Sequence, residues 1–222
     1  MPRETKNFLR NNGLSILMFG LFVVFTIGVS FTGWTNNNET LKTHGQPQQT
    51  YTGYITSGEF IEAIFENWES EFLQMAALVI ATIFLYQRGS ADSKKLRGPN
   101  EVDTSSRYSI IRGDPSDRIK AAKELLRSNA LGLALITLFL FSFALHAVGG
   151  AAAHNSEAAA HGEPAISVMT YIRTAQFWFE SFQNWQSEFL AVGTLLVLSI
   201  YLRQRGSPES KPIGESNRRT GS

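Results

Sequence analysis

Charged residues fall unevenly along the chain. None lies between Arg10 and Glu39, and none between Arg127 and Glu157. The apolar cores of these gaps, Leu14 to Gly33 and Leu131 to Gly150, each offer the ~20 residues a helix needs to cross a ~30 Å hydrocarbon layer. Two shorter uncharged runs, Phe72 to Gln87 and Phe189 to Leu202, close segments that begin polar. As helices they span only about 24 and 21 Å at 1.5 Å per residue. Either the bilayer thins around them, or Glu71 and Glu188 sit below the interface, where an ionised carboxylate is costly. The first run follows Arg3, Lys6 and Arg10, as the core of a signal peptide would. However, no small-x-small site closes it, and its apolar core exceeds the usual ~7–15 residues, so a membrane helix is expected.

The chain also repeats itself. Shifted by 117 residues, Leu9 to Lys94 lies over Leu126 to Lys211 without a gap. His44-Gly45-Gln46-Pro47 meets His161-Gly162-Glu163-Pro164, and Tyr54-Ile55 meets Tyr171-Ile172. The strongest block sets Phe65 to Leu73 (FENWESEFL) over Phe182 to Leu190 (FQNWQSEFL). A signal sequence has no reason to recur in mid-chain. Each half reads as a long apolar helix, a polar loop, and a helix that begins polar and ends apolar. The expected fold is therefore all-α and polytopic, with four membrane helices arranged as two tandem parallel-repeat hairpins. Repeat 1–94 holds helices over about 12–34 and 58–88, and repeat 126–211 holds helices over about 128–150 and 175–205. Residues 95–125 form a polar linker ending in an amphipathic helix from Ser116 to Arg127, and 212–222 a disordered tail.

Composition narrows the chemistry. The 222 residues carry 20 Lys+Arg against 19 Asp+Glu, four His and no Cys, a formal charge of +1. Without Cys there is no disulfide, no thiol nucleophile and no thiolate-bound metal centre. A charge near zero argues against binding nucleic acid through a bulk basic field. Lys42 and Arg173 are the only basic residues assigned to the outer loops, which leaves 18 of the 20 on the side of the termini and linker. That side is expected to be cytoplasmic, placing the chain in the plasma membrane with both termini inside. Because each half crosses twice, the halves share one orientation and any repeat axis runs along the membrane normal.

The polar starts of the second helices hold the candidate site. Asn67, Ser70, Glu71 and Gln74 share one helical face, as do Asn184, Ser187 and Glu188, with Trp68 and Trp185 beside them. Such a stripe serves either as interhelical hydrogen bonding or as a proton or cation site. Ser57 and Thr174 are matched N-cap candidates, and Gly89 and Gly206, beside Arg88 and Arg205, are expected to stop the helices. His44 and His161 lie in the outer loops and are weak metal candidates, because His-Gly-x-Pro is first of all turn chemistry. His146 stands opposite Val29 in the repeat, and a lone membrane His is weak evidence for haem. No phosphate-binding loop, nucleophile elbow or His-Glu-x-x-His is present, so no catalytic residue, no enzyme activity and no cofactor are expected.

Gly89 and Gly206 are expected in the left-handed conformation, with Arg88 and Arg205 at the negative helix ends. In the blocks Phe65 to Met75, Phe182 to Val192 and Gln204 to Lys211, the sequence resembles a bacterial family of uncharacterised integral membrane proteins, a domain of unknown function. The resemblance covers nearly the whole chain. It implies a membrane protein and brings no ligand or catalytic residue with it. The expected function is a non-enzymatic membrane scaffold or binding module working through the paired Asn-Trp-x-Ser-Glu faces. Its expected partners are the lipid bilayer and a second copy or another membrane protein. The alternative is proton-coupled or cation transport through Glu71 and Glu188. The topology is directly testable on the Cys-free background. A Cys at Thr43 should react with an impermeant maleimide from outside and one at Ser109 only after permeabilisation; the opposite pattern overturns the orientation.

Overall fold

The computed structural model describes residues 3–100, 102 and 115–221. Most of the expected linker between 101 and 114, including Arg107, Ser109 and Arg112, lies outside these. Among the described residues every regular element is helical: α1 (Arg3–Thr43), α2 (Tyr51–Ile55), α3 (Gly58–Phe84), α4 (Pro115–Ser128), α5 (Ala130–Ala160), α6 (Val168–Tyr171) and α7 (Ala175–Tyr201). The duplication is visible in the helix bounds themselves. Both α3 and α7 are 27 residues long and begin and end at repeat-matched positions, and α1 and α5 end at matched positions too.

Two helices are long and apolar enough to cross a membrane: the Asn7–Thr43 part of α1 and Ala130–Ala160, which is α5. Only 6% of the apolar window in the first and 17% in the second is buried, so neither is the wrapped core helix of a globule. The glutamates in the first halves of α3 and α7 dilute their hydropathy, and these two helices fall short of the same standard. The chain divides into two compact units, Met1–Ile64 with Val148–Val168, and Phe65–Ala147 with Met169–Ser222.

In the first unit, side chains close the polar loops by serving their backbones. Asn38 donates from Nδ2 to the Gln49 carbonyl (3.0 Å) and accepts the Gln49 N–H at Oδ1 (2.8 Å). Asn155 repeats this on Ile166, at 2.9 and 2.8 Å. An Asn at the end of a helix thus completes the hydrogen bonding of a loop residue that would otherwise lose two partners. Trp34 also donates to the Gln49 carbonyl (2.9 Å), and Tyr51 stacks on Phe31 at 4.8 Å while sharing a 2.8 Å hydrogen bond with Ser30. Thr50 caps α2, accepting the Gly53 N–H. The start of α3 and the end of α5 meet backbone to backbone. A Cβ on Gly149 would lie 2.5 Å from the Glu62 nitrogen, and one on Gly58 would lie 2.5 Å from the Ala153 nitrogen. Small residues are what allow two helices to approach this closely.

In the second unit, α3 and α7 stop at Phe84 and Tyr201, four residues before the expected ends at 88 and 205. Gly89 (φ 89°) and Gly206 (φ 81°) have the expected left-handed conformation, but in the turn beyond the helix. The turn folds because serines replace helical partners: Ser93 and Ser210 accept the N–H groups of Gln87 and Gln204, at 2.9 and 2.8 Å. Lys94 donates to the Ile83 carbonyl (3.1 Å) and Arg203 to the Ile200 carbonyl (3.0 Å). These cations, rather than Arg88 and Arg205, neutralise the carbonyl ends of the helices. Residues 215–221 lie over the turns, with Thr220 accepting the Gly89 N–H (2.9 Å) and the Gly221 N–H reaching the Ser90 carbonyl (3.0 Å).

The glycine contacts predict an asymmetry. Gly149→Ala should cost about 1–3 kcal/mol through overpacking. Gly20→Ala, where nothing lies within 4 Å of the new Cβ, should be neutral or stabilising by up to about 1 kcal/mol. Unfolding titrations in mixed micelles measure both, and equal effects would refute the close approach.

Candidate functional site: a buried imidazole among carboxylates

The second unit contains a polar cluster centred on His146. Its imidazole, on α5, is fully buried and stacks on Phe177 of α7 with ring centres 4.7 Å apart. Nδ1 lies 2.7 Å from Oε2 of Glu69, on α3, which is also fully buried. The other Glu69 oxygen accepts from Trp185 Nε1 at 2.9 Å. With Glu69 as a carboxylate, which can only accept, the proton of this hydrogen bond lies on His146 Nδ1.

The opposite ring nitrogen is differently placed. Nε2 faces Glu180 Oε2 at 3.5 Å and has no hydrogen-bond partner. Glu180 is held in turn: Tyr171, fully buried beside it, donates to the same Oε2 at 2.8 Å. One helical turn further along α7, Asn184 donates from Nδ2 to Glu66 Oε1 (2.8 Å) and to the Glu180 carbonyl (3.2 Å). Glu66 and Glu69, three residues apart on α3, thus present one face to Asn184 and Trp185, and Glu180 and Asn184, four apart on α7, present the matching face. Two helices supply three carboxylates around the imidazole carried by a third.

The candidate residues named from the sequence divide between this cluster and its surroundings. Asn184 and Trp185 belong to it, but their partners are Glu66 and Glu69. Ser70 and Gln74 are buried on α3, and the Ser70 hydroxyl bonds back to the Asn67 carbonyl at 2.8 Å. Ser187 repeats that bond on Asn184 at 2.8 Å and is exposed. Asn67 is exposed, and Trp68, half-buried, meets the Phe65 ring edge-on at 4.9 Å. Glu71 is exposed and Glu188 half-buried, and each bears on the other electrostatically. His44 and His161 lie at the exposed ends of α1 and α5. Their Nδ1 atoms sit 2.9 Å from the Thr40 and Glu157 carbonyls one turn back, a local turn geometry.

Of the four central residues, His146 entered only as weak evidence for haem, and Glu180, Glu66 and Glu69 were not among the sequence candidates. Their signal was a mismatch: in the repeat alignment they face Val29, Ala63, Gln183 and Gln186. Each copy keeps the shared block, while ionisable groups appear on one side only. The pairing of Glu66 with Asn184 makes a quantitative prediction. A double-mutant cycle with Glu66→Ala and Asn184→Ala should return a coupling of about 0.5–2 kcal/mol, read from unfolding midpoints, and strict additivity would contradict the bond.

No curated protein and no solved structure matches the sequence. A family model does, over residues 5–222, and its description is a domain of unknown function. On that match the chain belongs to the DUF6766 family, a domain of unknown function.

Proposed function

We propose that this chain is a four-crossing plasma-membrane protein, with both termini cytoplasmic, that works without catalysis as a binding module for a cation. In this reading α1 and α5 are full crossings, and α3 and α7 cross with their polar halves turned toward protein. Asn184 and Trp185 hold α7 against Glu66 and Glu69 of α3, and the exposed apolar faces meet lipid or a second membrane protein.

One observation carries the cation reading: Glu66, Glu69 and Glu180 gather around a single, fully buried imidazole. Even an imidazolium balances only one of the three carboxylates. Burying uncompensated charge in a low-dielectric bundle is expensive, so protons or a bound cation must make up the difference. The hydrogen bonds from Trp185, Tyr171 and Asn184 orient the carboxylates but bring no net charge. A second reading, ion passage through Glu71 and Glu188, is supported by their mutual electrostatic influence.

The two readings make different demands. For cation binding, the protein in nanodiscs should melt higher when choline is replaced by the preferred inorganic cation. A ligand at a hundred times its Kd adds about 2.7 kcal/mol. Glu69→Gln and Glu180→Gln should remove that gain. If neither inorganic cations nor acid titration changes stability in a manner dependent on these residues, the reading fails. For ion passage, proteoliposomes should show cation or proton flux that disappears in Glu71→Gln and Glu188→Gln, and silent wild-type vesicles would end that alternative.

A further inference from the structure

We infer that the cation is a divalent transition metal, bound through His146 Nε2 and the Glu180 carboxylate, with Glu69 as the group that aims the imidazole. This rests on the cation reading above and specifies its ligand.

His146 is fully buried, one of its nitrogens is held at 2.7 Å by Glu69, and the other has no hydrogen-bond partner although a carboxylate oxygen lies 3.5 Å away. A salt bridge made for its own sake would close to hydrogen-bond distance, as the Glu69 side does. The 3.5 Å separation fits a shared ion instead. Imidazole nitrogen and carboxylate oxygen each bind zinc-like ions at about 2.0–2.2 Å. Two such ligands at a tetrahedral angle therefore stand about 3.4 Å apart.

The surroundings follow the pattern expected of a metal-binding histidine. Such a histidine commonly donates its remote N–H to a carboxylate, which sets the tautomer and the ring direction, and its carboxylate co-ligands are themselves hydrogen-bonded. Glu69 fills the first role, fixed by Trp185 Nε1 at 2.9 Å, and Tyr171 fills the second at Glu180 Oε2 at 2.8 Å. Phe177 stacked beneath the ring limits its rotation. Imidazole with carboxylate suits borderline ions such as zinc, cobalt or ferrous iron, and suits alkali ions poorly because the nitrogen would be wasted.

The test uses the full-length protein in nanodiscs, with Co2+, Zn2+ and Cu2+ as probes. The expected result is one metal per chain, with a Co2+ visible spectrum of nitrogen and oxygen ligation and a Cu2+ pulsed-EPR signature of one coordinated imidazole. His146→Gln and Glu180→Gln should abolish binding. Glu69→Gln should weaken it about 10–100-fold while keeping the imidazole signature. Glu71→Gln and Glu188→Gln should leave it unchanged. Should His146→Gln not fold, the wild-type EPR signature and the Glu180→Gln titration decide alone. Metal bound equally well in Glu180→Gln, or bound without imidazole coupling, overturns the inference. If no dication binds but a monovalent cation or proton uptake still stabilises the wild type, the metal assignment falls and the cation reading stands. If nothing binds and nothing stabilises, both fall.

Discussion

A histidine shut away from water among three carboxylates must have every charge and every hydrogen bond accounted for, and that requirement organises the second unit. Glu69 is the pivotal partner. One of its oxygens takes the His146 N–H and the other the Trp185 N–H, so a single carboxylate ties α5 and α7 to α3. Breaking that tie would leave a buried anion, a buried imidazole and an indole donor unsatisfied together, and each such group costs about 1–3 kcal/mol or more. The bond between Asn184 and Glu66 and the one between Tyr171 and Glu180 extend the same logic. Aromatic contacts join the same helices, Phe65 against Phe141 and Phe143 against Phe177.

How much of this could be read in advance depended on whether the information was local or relational. Helix starts were local. Ser57 and Thr174 precede α3 and α7, and Thr174 accepts the Phe177 N–H as an N-cap should. The left-handed turns at Gly89 and Gly206 were local as well. The helix ends were missed by four residues, because the stop comes from Ser93 and Ser210 supplying side-chain acceptors six residues ahead, before glycine is reached. Nothing at positions 84 and 201 marks that competition. For similar reasons the cations at the helix ends are Lys94 and Arg203, which arrive through the return of the chain rather than through helical periodicity.

The cluster was hidden for a different reason. The repeat draws attention to what the two copies share, and Asn67, Ser70 and Glu71 with their counterparts Asn184, Ser187 and Glu188 were the natural candidates. Shared residues in a duplicated fold are under the same demand twice, and that demand includes helix packing and turn closure. Asn38 and Asn155 are the clear case, since each performs the same two-bond service for a loop backbone. The buried imidazole and its carboxylates occupy positions where one copy has an ionisable group and the other has Val29, Ala63, Gln183 or Gln186.

This asymmetry follows from electrostatics. Gln183 and Gln186, exposed on α7, stand where α3 has Glu66 and Glu69, and Val29 and Ala63 stand where the other copy has His146 and Glu180, so the repeat of this cluster lacks its imidazole and its carboxylates alike. Gln keeps the size and the hydrogen-bonding capacity while removing the charge. The duplicated scaffold can therefore hold one ionic centre without the repulsion and desolvation that two would impose. A site that arises from symmetry-related helices yet is made by the differences between them can bind one ion, not a matched pair. That single occupancy separates the proposed centre from any site built on Glu71 and Glu188, which both copies share.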